Sequence, residues 1–164
     1  MGSSIKLSML ALLCGIAATT TVTASTYPLT VPSQCQEYKI LDDPTRNEDH
    51  GYESYCDDDN DDATSPDWQG EAYYRVQAPA GDKIPTSPPK YLHCGTYYPG
   101  WIKDEDNAIF QMLEGQEITV KVCFVYGADP CDWITNIRVT KCPGDFLVYQ
   151  LPNAPSCYFR YCAT

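Results

Sequence analysis

Glu117-Ile118-Thr119-Val120-Lys121-Val122-Cys123-Phe124-Val125-Tyr126 alternates in hydropathy, with Ile118, Val120, Val122 and Phe124 on one face. A period of two marks a half-buried strand. Trp133–Cys142 repeats the habit, setting Trp133, Ile137 and Val139 among polar neighbours. Outward from this pair, Pro143-Gly144-Asp145 reads as a tight hairpin turn leading to a strand over Phe146–Leu151. Tyr158–Cys162 is a last strand. Upstream, Glu71–Gln77 carries Tyr73, Tyr74 and Val76, and the Pro-rich stretch Pro79–Pro89 precedes a short strand over Lys90–Cys94. Asp104–Leu113 is the one segment expected to be helical. Thirteen Pro, ten Gly and thirteen Tyr against three Met agree with a turn-rich β protein. The expected fold class is mainly β with a small α content, in the single domain that 164 residues allow.

The formal net charge is −11, from 22 acidic and 11 basic residues. A chain so acidic lacks the basic footprint that nucleic acid or an anionic membrane surface requires. The charge is concentrated: the window Asp42–Glu71 holds twelve acidic residues and one basic one, Arg46. Its densest part, Asp57, Asp58, Asp59, Asp61 and Asp62, reads as a solvated loop extending to about residue 67, because adjacent like charges resist regular structure. Clustered carboxylates suit a hard cation, so these five are the candidate ligands for weak calcium binding or for contact with a mineral surface. An EF-hand is excluded: counting from Asp57, Asp62 stands where the loop needs Gly and Trp68 where it needs Glu. No other cofactor is suggested.

The N-terminus reads as a secretory signal over residues 1–24, with Lys6 ahead of the apolar run Leu7–Ala18 and Val22-Thr23-Ala24 before a cut at Ser25. The apolar run is shorter than the ~20 residues that span a bilayer, so no membrane insertion is expected. The domain then occupies residues 25–164. Cys14 leaves with the signal, and eight cysteines stay: Cys35, Cys56, Cys94, Cys123, Cys131, Cys142, Cys157 and Cys162. An even number in an exported chain indicates a disulfide framework. A zinc site is the competing reading, but no C-x-x-C pair exists and the only histidines are His50 and His93. Eight cysteines can pair in 105 ways, and spacing alone does not choose among them.

Several short motifs lie in a distinctive order. Leu41-Asp42-Asp43-Pro44 and Arg46 follow the first cysteine, and Tyr74-Arg75-Val76 follows the second. His93-Cys94-Gly95-Thr96 precedes Pro99-Gly100-Trp101, then come Cys131-Asp132-Trp133 and Cys142, and Phe146–Leu151 leads to Pro155, Cys157, Tyr161 and Cys162. In these pieces the chain resembles the extracellular eight-cysteine domain of uromodulin and the pancreatic secretory-granule glycoprotein. The resemblance implies a mainly β, extracellular domain; the EGF-like or polymerisation modules that usually accompany it do not fit in this length, so a stand-alone domain is expected. The resemblance also implies the bridges Cys35–Cys142, Cys56–Cys157, Cys94–Cys162 and Cys123–Cys131. Two cysteines of the family's ten-cysteine form are missing here, which amounts to the loss of one bridge. The family's glycan-bearing version carries its N-linked sugar just after the Trp of the Pro-Gly-Trp motif. Here Ile102-Lys103-Asp104 follows, and no N-x-Ser/Thr sequon occurs anywhere in the chain.

No G-x-S-x-G, H-E-x-x-H or phosphate-loop pattern is present. His93 adjoins Cys94, but a bridged cysteine is no nucleophile. The three tryptophans and the Tyr pairs invite a carbohydrate-platform reading; against it, Trp101 and Trp133 sit in the folding motifs and are expected in the core, leaving Trp68 the freer one. The expected function is a secreted module that recognises an extracellular protein or glycan. The alternatives are an acidic component of an extracellular or mineralised matrix, and a secreted toxin.

Overall fold

The alternation of Glu117–Tyr126 becomes a ten-residue strand in the computed structural model, which describes residues 30–60 and 62–164. The signal reading over residues 1–24 and the candidate ligand Asp61 fall outside the described residues. In chain order the strands are β1 (Lys39–Leu41), β2 (Ala72–Val76), β3 (Tyr98–Lys103), β4 (Glu117–Tyr126), β5 (Asp129–Cys142), β6 (Phe146–Leu151) and β7 (Phe159–Tyr161). They form one seven-stranded sheet in the order β1-β2-β6-β5-β4-β3-β7. The β1/β2 and β3/β7 pairs are parallel and the others antiparallel.

Pairing register shows which face each residue takes. Phe124 opposes Gly100 on β3 and Trp133 on β5, and Val139 opposes Ile118 on β4 and Tyr149 on β6. The face shared by Val120, Val122, Phe124, Ile137, Val139, Tyr149, Leu151 and Tyr161 is the main core. It is covered by loops, not by helices: Trp68, Ala80, Ile84, Met112 and Ala154 close the same cluster. The opposite face carries two smaller apolar clusters, around Trp101–Cys123–Val125 and around Cys35–Cys142–Val148. That explains why β4 buries Cys123 and Val125 as well as its alternating set.

A loop layer has little regular hydrogen bonding of its own, and disulfides fasten it here. The bonds Cys35–Cys142, Cys56–Cys157 and Cys94–Cys162 bridge sequence separations of 107, 101 and 68, while Cys123–Cys131 bridges 8 within the β4–β5 hairpin. By the chain-entropy relation the long loops each contribute about 4–5 kcal/mol and the short one about 2–3 kcal/mol.

Two local expectations are corrected. Lys90–Cys94 is a turn region, because Leu92 and Cys94 take φ of 61° and 56°, values that a strand does not accommodate. Gly95 follows at φ 67°, with room for no side chain: a Cβ there would lie 2.6 Å from Nη1 of Arg160. Asp104–Leu113 is a series of turns and not a helix. The Asp104 carboxylate accepts from the backbone N–H of Ala108 and Ile109 at 2.7 and 3.2 Å, and Asn107 turns to φ 51°. Its apolar residues also lack a common face, since Met112 is buried while Phe110 and Leu113 are exposed. The helical content among the described residues is two 3-10 turns, Ser33–Cys35 and Pro44–Arg46.

Candidate functional site

The acidic window does not lie in solvent as a unit. Arg46 is fully buried, and its Nη1 and Nη2 donate to the two carboxylate oxygens of buried Asp57 at 2.7 and 2.8 Å. Its Nε reaches both oxygens of Asp67 at 2.9 and 2.8 Å, and Nη2 also reaches Asp67 Oδ1 at 2.5 Å. Burial opposes the Arg46 charge, but Asp57 and Asp67 outweigh it and hold its pKa above the ordinary value. Burial raises the Asp67 pKa, yet hydrogen bonds and charge from Arg46, with the Asp43 N–H, bring it below the usual carboxylate range.

This pair also finishes the sheet. Strand β7 is an edge, and an unpaired edge exposes backbone donors and acceptors. Here the Asp57 N–H donates to the Phe159 carbonyl at 3.0 Å, the Tyr161 N–H donates to the Asp57 carboxylate at 2.9 Å, and Arg46 Nη1 donates to the Tyr161 carbonyl at 3.1 Å. An ion pair thus stands where a further strand would pair. Arg160 of β7 is buried beside it, giving Nη1 to Thr45 Oγ1 at 2.8 Å and to the Cys94 carbonyl at 3.1 Å, with Asp43 at 3.6 Å. Burial and the neighbouring Arg46 charge draw its pKa down to about 10.

Of the five candidate calcium ligands, Asp57 is therefore inside, bonded to Arg46. Asp58 Oδ1 accepts from the Asn60 backbone and side chain at 3.1 and 2.9 Å, and Asp59 Oδ1 accepts from Asn153 Nδ2 at 2.6 Å. Asp62 is exposed, and Asp61 is outside the described residues. Among the described residues no three His, Cys, Asp or Glu side chains converge on a common point. Trp68 is also inward, contrary to expectation. It is 5 % exposed, stacked on Tyr74 at 4.9 Å and near Tyr161 at 5.9 Å. His93 rests its Nδ1 3.3 Å from the Tyr91 carbonyl, next to the bridged Cys94.

The surface that turns outward is aromatic. Trp101 is buried and donates its Nε1 to the Pro130 carbonyl at 2.7 Å, but Trp133, expected in the core, is 51 % exposed. The reason is positional: Trp133 pairs with Phe124 on the core side near the turn end of the β4–β5 hairpin, away from the covering loops. It meets Phe159 edge-on at 5.9 Å. Phe159 stacks on Tyr98 at 4.3 Å, Tyr98 on Tyr126 at 5.2 Å, and Tyr126 meets Tyr91 at 5.7 Å. A second group begins one residue away on both strands, where Tyr97 meets Tyr158 at 5.3 Å and Tyr52 at 4.6 Å. Tyr52, Tyr97, Tyr126 and Tyr158 are between 37 and 53 % exposed. Burial, with Tyr126, Tyr91 and Asp132 close by, pushes the Tyr98 phenol up. Tyr side chains present large amphipathic surfaces at small entropic cost, so rings fixed against one another on a stapled sheet suit recognition. The Tyr97-Tyr98 pair and the large tyrosine total were the sequence signals for this surface, but no spacing showed that Tyr52 and Tyr158 would join it.

The family model for the uromodulin-like eight-cysteine domain matches residues 74–163. The chain is 30 % identical over 129 residues to the pancreatic secretory granule membrane major glycoprotein of Canis lupus familiaris, covering 78 % of this chain and 23 % of that protein. It is 26 % identical to the same glycoprotein of Mus musculus, over 78 % of this chain and 22 % of the relative. It is 27 % identical to uromodulin of Rattus norvegicus, over 78 % of this chain and 18 % of uromodulin. The chain thus spans about a fifth of the length of these curated relatives. The mainly β sheet with four disulfides, the ordered motifs and the matched segment agree: this chain belongs to the family of uromodulin-like eight-cysteine domains, and it is an extracellular domain.

Proposed function

We propose that this uromodulin-like domain is a non-catalytic recognition module and that its protein or glycan ligand lies against the aromatic end of the sheet. The observation that supports the reading is the exposure of Trp133 together with Tyr97, Tyr126 and Tyr158 at one end of a disulfide-stapled scaffold. Large exposed aromatic surface is unfavourable in water unless something covers it, and clustered Tyr and Trp are the usual anchors of an interface. The acidic window supplies Tyr52 and Glu53 to this end, while its buried members Arg46, Asp57 and Trp68 serve the fold.

The test compares the secreted chain with the variant Tyr97→Ala, Tyr158→Ala, Trp133→Ala on a glycan array and against fractionated extracellular proteins. A ligand retained by the wild type should be lost by the variant while near-UV circular dichroism still reports a folded domain. If the ligands of the wild type bind the folded variant with equal affinity, the surface is not the site.

A further inference from the structure

We propose that the aromatic end of the sheet receives a cationic side chain, Arg or Lys, carried by a basic segment of an extracellular protein. This rests on the reading of that end as the ligand surface and adds the chemistry of the ligand. Tyr98 is stacked between Phe159 and Tyr126, but the rings of the second group meet edge to face, with interplanar angles of 64° for Tyr52–Tyr97 and 89° for Tyr97–Tyr158. In each such contact the edge of one ring covers one face of its neighbour, and Tyr52, Tyr97 and Tyr158 still leave 37 to 53 % of their surface in solvent. A cation over such a face is attracted by the ring quadrupole.

Carboxylates border the adjoining Tyr98–Tyr126–Trp133 group and follow Tyr52 in the chain. Asp129 is the cross-strand partner of Tyr126, and Asp132 precedes Trp133 and acts electrostatically on Tyr98. Glu53 follows Tyr52 and lies 3.4 Å from His50. Asp129, Asp132 and Glu53 are all exposed. Lys90, exposed next to Tyr91, stands against three carboxylates, and Arg160 is buried beneath Tyr55 with its guanidinium 5.1 Å from that ring. Among the described residues the chain's own cation–ring contacts fall on Tyr38, Tyr55, Tyr73, Tyr74 and Phe146, and none on Tyr97, Tyr126, Tyr158 or Trp133. The cluster therefore has ring faces and negative charge with no internal cation to use them. A neutral saccharide would stack on the rings and donate hydroxyls to the carboxylates but gain no charge attraction, and an acidic glycan would be repelled by them.

The probe is a glycine-spaced peptide carrying three arginines, with its citrulline counterpart and a neutral chito-oligosaccharide as comparisons, titrated calorimetrically into the full secreted chain at physiological salt. The arginine peptide should bind, and citrulline should weaken it by about tenfold or more. Tyr97→Leu with Tyr158→Leu should weaken it by about tenfold, and Tyr97→Phe with Tyr158→Phe should restore binding, since the ring and not the hydroxyl is needed. Asp129→Asn with Asp132→Asn should weaken it comparably, whereas Asp58→Asn, Asp59→Asn, Asp62→Asn, a larger charge change elsewhere, should leave it within about twofold. Equal weakening by the Asp58 set would reduce the effect to overall charge and overturn the proposal. Binding of the chito-oligosaccharide that is lost in the Leu variant, without binding of the arginine peptide, would also overturn it while leaving the aromatic surface as the ligand site.

Discussion

The window Asp42–Glu71 and the tyrosine-rich end of the sheet exchange the places that their chemistry suggests. The most acidic stretch of the chain sends Arg46, Asp57 and Trp68 into the interior, and the most aromatic end leaves Trp133 and Tyr158 in water. Pairing accounts for the first. A buried carboxylate is tolerated when its oxygens are fully engaged, and Asp57 meets two guanidinium nitrogens and a backbone N–H. Reach accounts for the second, since the loops that roof the core face stop short of the β4–β5 hairpin end. Residue type sets what burial or exposure costs, and the neighbours decide whether that cost is met.

Removing one partner of the buried pair is the severest way to break this contrast. Asp57→Ala leaves buried Arg46 with Asp67 as its remaining counter-charge, two guanidinium N–H groups without acceptors and the Tyr161 N–H unpaired, so it should cost about 3–5 kcal/mol in chemical denaturation. In a double-mutant cycle with Arg46→Met the combined loss should fall short of the sum of the singles, because the second change removes the guanidinium N–H groups that the first left without acceptors. Additive losses would mean that the two side chains contribute to the fold independently.

The tryptophans carry the same comparison in a matched pair. Trp68→Ala empties a stacked site between Tyr74 and Tyr161 and should cost about 3–5 kcal/mol. Trp133→Ala should cost under about 1 kcal/mol, since half of that ring is already in water. Acrylamide quenching of single-Trp variants gives an independent reading: Trp133 should be quenched readily, Trp68 and Trp101 poorly. Strong protection of Trp133 would place it under a cover and remove it from the ligand surface.

Acid titration sharpens the picture of the acidic window. The folded pKa of Asp67 lies below its unfolded value because Arg46 and the Asp43 N–H outweigh the effect of burial. Its stabilising contribution is therefore complete above the unfolded carboxylate pKa of ~3.9 and is lost as the pH falls through the lower folded value. Urea midpoints should hold steady from about pH 7 to 5 and decline below about 4, with a weaker decline in Asp67→Asn. An identical acid slope in that variant would show that Asp67 titrates as an ordinary carboxylate.

These regions also mark where the sequence was legible. β4 and β6 kept their expected bounds because alternation over many residues is a strong local signal. β1 has three residues and is defined by its parallel neighbour β2, and β3 contains Pro99-Gly100, which reads as a turn, so neither was visible before its partners were in place. The disulfide pairs in the structure came into view only through resemblance, because spacing leaves the pairings open. The inward turn of Asp57 depended on Arg46, eleven residues earlier, and on β7, about a hundred residues later. No local pattern distinguishes Asp57 from Asp58. The aromatic surface was half legible for a similar reason: the tyrosines were conspicuous, but which of them share a surface is set by the parallel pairing of β3 with β7.

The difference between Asp57 and its neighbours leads to the smallest expected effect. Asp58→Asn, Asp59→Asn, Asp62→Asn removes three charges from side chains that hold no buried cation, so stability should change by no more than about 0.5 kcal/mol. Millimolar calcium should shift the melting temperature of neither protein. Asp57 is bonded to Arg46, and Asp58 and Asp59 already accept from Asn60 and Asn153. A calcium-dependent rise in the wild type that the triple variant abolishes would mean that the exposed carboxylates gather around an ion despite those bonds. The acidic window would then be a ligand surface in its own right, and the aromatic end would have to share that role.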